Sequence, residues 1–328
     1  MVEDLNGVLF DVKGLVHPPG RVVAFPRFVP DVEGDRGRGE LVYRKVYALS
    51  ARYELLEKRF PQYLVEDAVF GERLCEVLLK DVRSHYRPNE RLRELRSTKE
   101  LDILEREALD FVTLLKESAS VLWKALGISG SILAKMHTTS SDIDPIVYGE
   151  QNCRRVWSAL KLLHKKKQSS VRVYGKEDLR SLFDFRSKDT RVGFEDFVRT
   201  ESRKVLQGKY HDRDYFIRCV KGWNEVEERY GDVHYSNVGY STIEATVVDV
   251  SESIFTPCKY KIGRVRVLRG EEKPVSEIVS FRGRFCEQAE NGEAVVAQGK
   301  LERIQNKSGE VGFRLLLGNK PSDFMILA

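Results

Sequence analysis

One stretch constrains this chain more than any other: Gly130-Ser131-Ile132-Leu133-Ala134-Lys135-Met136-His137-Thr138-Thr139-Ser140-Ser141-Asp142-Ile143-Asp144, followed by Pro145-Ile146-Val147-Tyr148-Gly149. Two aspartates one residue apart in an apolar context read as a strand. Its period of two puts both carboxylates on one face and turns Ile143 to the core. Two anions side by side repel, and each raises the other's pKa unless a cation sits between them. For paired hard oxygen ligands that cation is Mg²⁺, which takes one or two carboxylates and completes its shell with water and phosphate oxygens. Upstream, Gly130-Ser131 opens a short helix-compatible run to His137, and free backbone N–H groups at such a start suit a triphosphate tail. A phosphate cradle, a short helix and a strand with paired carboxylates describe a metal-dependent nucleotide site.

The Gly-Ser pair, the gap and Ser-Asp-Ile-Asp with its hydrophobic tail resemble the signature of the DNA polymerase β-like nucleotidyltransferase superfamily, including the spacing from Ser131 to Asp142. A lone D-x-D is common by chance; the two motifs at this spacing are not. The resemblance covers residues 100–220 and departs from the family pattern twice. Many members carry glycine where this chain has Lys135, and leucine or valine where it has Pro145. Proline cannot donate to a sheet ladder, so the strand is expected at a sheet edge or to end there.

The resemblance implies an enzyme that moves a nucleotidyl group from an NTP to a hydroxyl acceptor, RNA among the candidates, and releases pyrophosphate. Two Mg²⁺ ions, or Mn²⁺ in their place, would be held by Asp142, Asp144 and a third carboxylate, which together form the catalytic set. Gly130, Ser131, Lys135 and Ser141 would hold the nucleotide. For the third carboxylate, Asp214 is the choice because it opens a strand-like run to Val220 about where a neighbouring core strand falls. Asp184, Glu244 and Asp249 remain alternatives.

Composition sets the outer limits. At 328 residues the chain has room for two or three domains. A 41% hydrophobic and 32% charged content is that of a soluble globular protein. No apolar run reaches the ~18 residues of a membrane span, and Met1-Val2-Glu3-Asp4-Leu5 is no signal peptide. A cytoplasmic location with no membrane partner is the expectation. Cys75, Cys153, Cys219, Cys258 and Cys286 form no C-x-x-C pair and are expected as reduced, buried thiols. Abundant Glu, Arg and Lys with sparse Asn and Gln lean towards a thermophile. The net charge of +5 permits a nucleic-acid partner without requiring one.

The fold class expected is α+β: an N-terminal α/β domain at 1–97, a nucleotidyltransferase-like core at 98–235 and a small antiparallel β-barrel or sandwich at 236–328. In the first, Val8–Val12 and Val22–Phe25 read as strands, Leu41 to Phe60 as a helix ended by Pro61, and Glu72 to Val82 as helical. The mixed-charge run His85 to Lys99 predicts an exposed helix. In the second, Leu101 to Leu126 predicts a long helix packed beneath the site, and Cys153 to His164 another. In the third, five strand-like runs follow, with Lys259, Lys261, Arg264, Arg266, Arg282 and Arg284 alternating along two of them. That face suits nucleic acid or plain solvent equally. A nucleic-acid-binding protein, preferring RNA to DNA, on a weak or inactive core is therefore the second reading. The six histidines lack ligand spacing, and the absence of P-loop and dinucleotide fingerprints removes those folds.

Overall fold

The computed structural model describes residues 1–188 and 191–328. Strands β1 (Val2–Asp4), β2 (Leu9–Val12), β3 (Arg21–Pro30), β4 (Arg36–Arg38) and β5 (Leu41–Lys45) lead into helix α1 (Leu49–Arg59), and β6 (Leu64–Asp67), β7 (Glu72–Leu78) and β8 (Val82–His85) follow. They pair in the order β4-β5-β3-β2-β1-β8, with β7 also on β3 and β6 on β7. Two expectations fail here. The helix expected from Leu41 begins only at Leu49, because Leu41–Lys45 pairs with β3 and buries Tyr43 completely. The helical reading of 72–82 is replaced by β7 and a 3-10 turn, since Arg21, Val22 and Val23 take up the pairing of β7. Tertiary pairing overrides weak local preference in both.

The charged run expected as an exposed helix is α2 (Pro88–Ser97), which is amphipathic and buries Arg91, Leu92 and Leu95. Helix α3 (Ile103–Ala119) opens with a capping box between Asp102 and Glu105 and buries Leu104, Ala108, Phe111, Val112 and Leu115 along one face. It ends earlier than expected, and Leu126–Ile128 is instead strand β9. Then come α4 (Gly130–Leu133), β10 (Pro145–Tyr148), α5 (Glu150–Lys165), β11 (Val171–Arg172), α6 (Lys176–Arg186), α7 (Phe194–Glu201), β12 (Gln207–Tyr210), β13 (Arg213–Phe216) and β14 (Arg218–Val220). Strand β10 is the middle of the sheet β14-β10-β9, parallel to β14 and antiparallel to β9. Pro145 therefore marks neither an edge nor an end: it is the first residue of β10, a position where proline is tolerated.

By their contacts the residues form two compact units: Met1–Leu64, Cys75–Arg172 and Val205–Val226 in one, and Val65–Leu74, Val173–Lys204 and Glu227–Ala328 in the other. The boundary expected at 97 thus runs through the first unit, where a buried cluster of Leu9, Phe28, Tyr43, Ala134 and Met136 ties the N-terminal strands to the segment after α4.

In the second unit, β15 (Val233–Asp249), β16 (Cys258–Arg269), β17 (Val275–Ser280), β18 (Ala294–Asn306), β19 (Val311–Leu317) and β20 (Phe324–Leu327) pair in the order β15-β16-β17-β19-β18-β20, and β15 pairs again with β18. Those pairings close a five-stranded ring around Ile243, Tyr260, Ile278, Phe285, Val295, Leu301 and Leu315. The barrel is antiparallel as expected except for β17 and β19, which run parallel. All five cysteines are buried and free of disulfides. Among the described residues no helix is long and apolar enough to cross a membrane.

Candidate functional site

The Gly130 turn and the paired aspartates are built against each other. Ser129 N donates to Asp144 O at 2.8 Å, and Gly130 sits at φ +60°, in the left-handed region that glycine favours. A Cβ at position 130 would stand 1.9 Å from Asp144 Oδ2, so no other residue fits this turn while Asp144 keeps its place. Ser131 is 5% exposed, and its Oγ is buried without a hydrogen-bond partner. An orphaned hydroxyl in a native fold calls for an explanation, and a bound ligand supplies one.

Asp142 is exposed, Ile143 fully buried and Asp144 half-buried, the alternation the sequence predicts; the stretch is not itself the expected strand, however, but precedes β10 and is held by a single bridge at Ile143. Ile143 pairs in parallel with Tyr215: its N–H donates to Asp214 O and its carbonyl accepts from Phe216 N, each at 3.0 Å. Helix α3 supports this pair from below, with the Phe111 ring centroid 4.7 Å from that of Tyr215. The loop before Asp142 is held by two arginines. Arg213 Nη1 donates to Thr139 O at 2.7 Å and Ser141 O at 2.9 Å, and it is ion-paired to Glu107 through Nε. Arg36 Nη1 donates to Thr138 Oγ1 at 3.3 Å and Ser141 Oγ at 3.2 Å.

Among the described residues, neither Asp142 nor Asp144 is in a hydrogen bond or ion pair through its carboxylate. Burial, and then the Asp142 charge, push the Asp144 carboxyl up to about 7, against the pull of Arg218, Arg27 and Lys45. A divalent cation between the two would relieve that repulsion, and hard oxygen donors suit Mg²⁺ or Mn²⁺. The residues present therefore fit the metal.

The other expected site residues fall differently. The same parallel offset that pairs Ile143 with Tyr215 and Ile146 with Arg218 places Asp214 beside Asp142 and Phe216 beside Asp144. Asp214 is exposed, with its carboxylate 3.0 Å from Lys209 Nζ. Asp184 lies within α6, and Glu244 and Asp249 on β15 pair with Arg266 and Lys261, all in the second unit. Lys135 is ion-paired to Glu94 of α2 rather than turned to the Gly-Ser turn. Its backbone sits at φ +55°, in the left-handed region that glycine favours. Ser141 is buried, and its Oγ accepts from Thr138 N at 3.0 Å, so here it shapes the loop.

Residues that the sequence reading missed complete the site. Asp11, Arg27, Ser129, Gly130, Asp144, Phe216 and Arg218 line one small open cleft, with about 50 Å³ of room for water-sized molecules. Asp11 and Arg27 lie on β2 and β3, where Asp11 stands opposite Phe25 and Arg27 shares that face. Burial alone would raise the Asp11 carboxyl, but Lys13, Arg27, Arg52 and Arg218 outweigh it and hold the group well below the usual range. Burial pulls Lys13 down to about 7 despite Asp11. The signal available in the sequence was a charge inside an apolar strand: Leu9-Phe10-Asp11-Val12 and Phe25-Pro26-Arg27-Phe28.

Two further clusters have local explanations. Asp102, Glu105 and His137 bring ligand-type atoms within 4.8 Å of one another. However, Asp102 and Glu105 form the α3 capping box, Glu105 also pairs with Arg91, and His137 Nε2 lies 2.6 Å from Asp102 Oδ2. On the barrel, Lys259, Lys261 and Arg266 are each paired to an acid on a neighbouring strand: Glu277 at 3.2 Å, Asp249 at 3.1 Å, and Glu244.

The chain is 30% identical to Uncharacterized protein MJ1086 of the thermophilic archaeon Methanocaldococcus jannaschii, over 98% of this chain and 95% of that protein. No family model matches the chain. No solved structure matches it.

Proposed function

Because the chain belongs to the family of that archaeal protein, which is itself uncharacterized, we propose from the site alone that it is a metal-dependent nucleotidyltransferase. It would take an NTP, join the nucleotidyl group to a hydroxyl acceptor and release pyrophosphate. The observation that carries this reading is the pair Asp142 and Asp144, unpartnered and set against a glycine turn that no Cβ could enter. The resemblance of the two motifs to polymerase β-like nucleotidyltransferases points the same way.

In this reading Asp142 and Asp144 hold Mg²⁺. When bound, the metal supplies charge stabilisation for the attacking and leaving oxygens at the α-phosphorus. The chain's own residues do the positioning. Gly130 lets the backbone approach the phosphates, Ser131 Oγ offers them its unused hydrogen bond, and Arg213 and Arg36 fix the loop that aims Asp142. Asp214, beside Asp142 on the neighbouring strand, is the third carboxylate in this reading, but its carboxylate is paired with Lys209. That favours, as second reading, a site that binds nucleotide with weak or no transfer. On the barrel, Lys259, Lys261 and Arg266 are already paired with acids.

Incubation with each α-labelled NTP, Mg²⁺ and an RNA pool tests the proposal. Label transferred to acceptor with release of pyrophosphate, lost in Asp142→Asn, supports it. Mg²⁺-dependent binding without transfer to any hydroxyl acceptor favours the second reading.

A further inference from the structure

The charges around the cavity do not balance. Asp11 lies in the field of Lys13, Arg27, Arg52 and Arg218, and Asp144 in that of Arg218, Arg27 and Lys45. Against these five basic side chains, of which burial leaves Lys13 only partly charged near neutral pH, stand Asp11, Asp142 and Asp144. The surplus is positive before any metal binds, and a metal would enlarge it. A site for a neutral or cationic ligand is not served by such a surplus; a chain of phosphates is.

Two of the basic groups also have unused hydrogen-bonding capacity. Arg218 Nε is buried and has no hydrogen-bond partner. Arg27, with 18% of its side chain exposed, lies 3.8 Å from Asp11, too far for a hydrogen bond, and rests 4.6 Å from the Tyr47 ring centre. Arg27 is ion-paired to Asp11 alone among the described residues; were these arginines present to neutralise the paired aspartates, each would be expected in contact with Asp142 or Asp144. Among the described residues neither is ion-paired to Asp142 or Asp144. Both line the cavity with Ser129, Gly130 and Asp144. A guanidinium offers a planar fork of donors that matches phosphate oxygens.

Building on the nucleotide-site reading above, we propose that Arg27 of β3 and Arg218 of β14 form a clamp for the phosphate chain of the substrate, with Asp11 holding Arg27 in place. The ligand class is a linear polyphosphate, as in the tail of a nucleoside triphosphate. The N-terminal strands are then part of the substrate site and not an accessory to it.

The probe is inorganic tripolyphosphate, titrated calorimetrically into the full chain in EDTA at low salt. It binds, and binding weakens as salt rises. Arg27→Gln and Arg218→Gln each weaken it about tenfold or more, and the lysine variants, which keep charge but lose the fork, fall in between. Asp142→Asn/Asp144→Asn tightens metal-free tripolyphosphate binding several-fold by removing negative charge, while it abolishes Mg²⁺-dependent NTP binding; a merely structural role would not give opposite signs. Arg266→Gln on the barrel changes neither. Circular dichroism confirms that each variant is folded, and where a glutamine variant is not, the lysine variant decides. Absence of tripolyphosphate binding, or binding indifferent to Arg27 and Arg218, overturns the clamp. If Mg²⁺·NTP binding still needs the aspartates but ignores both arginines, the clamp falls and the nucleotide reading stands. If tripolyphosphate binds through the arginines while NTP with Mg²⁺ does not bind, the clamp stands as a polyphosphate site and the nucleotide reading falls.

Discussion

Two regions of this protein, the β16 face of the barrel and the Gly130 turn, treat charge in opposite ways. On the barrel, Lys259, Lys261 and Arg266 each face an acid across the sheet, and buried Glu302 is held by Lys300 at 3.0 Å and Arg314 at 2.7 Å. Around Gly130 the opposite holds. Two aspartates carry no ion pair, a serine hydroxyl and an arginine Nε are buried without partners, and Asp144 is pushed towards protonation. Folding favours the first arrangement, since each unpaired buried group is destabilising. A region that keeps the second arrangement is one where a ligand is expected to complete the balance.

Variants can break this contrast from either side. The largest stability effect belongs to the matched region: Arg314→Ala leaves buried Glu302 with one partner fewer and should destabilise the chain by about 3 kcal/mol, as read by denaturant melts. Mg²⁺·NTP affinity of the folded fraction stays unchanged. Gly130→Ala reverses the pattern. A Cβ on Asp144 Oδ2 at a left-handed backbone costs about 1–3 kcal/mol, and NTP affinity drops by about tenfold or more in calorimetry.

Asp144 gives a prediction of the contrary sign. Its folded pKa is raised from 3.8 to about 7, so the fold favours the protonated form. Stability of the metal-free protein therefore falls as pH rises through that window and is level above it. Asp144→Asn removes the slope and stabilises the protein at pH 8 by about 1–2 kcal/mol, measured in EDTA. The smallest effect is on the barrel face, where Lys261→Ala or Arg266→Ala should move stability by less than about 1 kcal/mol and leave NTP binding alone. A loss of NTP binding in either would contradict the contrast.

The legible part of the site was the local part. Gly130, Ser131, Asp142 and Asp144 lie within one short stretch, and the alternation that exposes Asp142 and buries Ile143 is written in adjacent residues. The place of the third carboxylate was not legible, because the segment of Ile143 and β13 meet at a bridge that no local pattern states; that bridge sets Asp214 beside Asp142 and Phe216 beside Asp144. Asp11 and Arg27 were hidden for the same reason, more than a hundred residues from the turn they meet. In the fold, Glu72–Leu78 carried no alternation strong enough to announce a strand, and its pairing with β3 decided the matter. Pro145 misled in a different way: its missing N–H excludes it from a strand interior, yet the first residue of a central strand has no need of it.

The central claim is that Asp142 and Asp144 hold a metal that holds a nucleotide. Calorimetric titration of each NTP with Mg²⁺ into the wild-type chain and into Asp142→Asn/Asp144→Asn tests it most directly. The account predicts binding that needs Mg²⁺ in the first and vanishes in the second. Binding indifferent to the metal and to both aspartates, or no binding of any NTP, would contradict it.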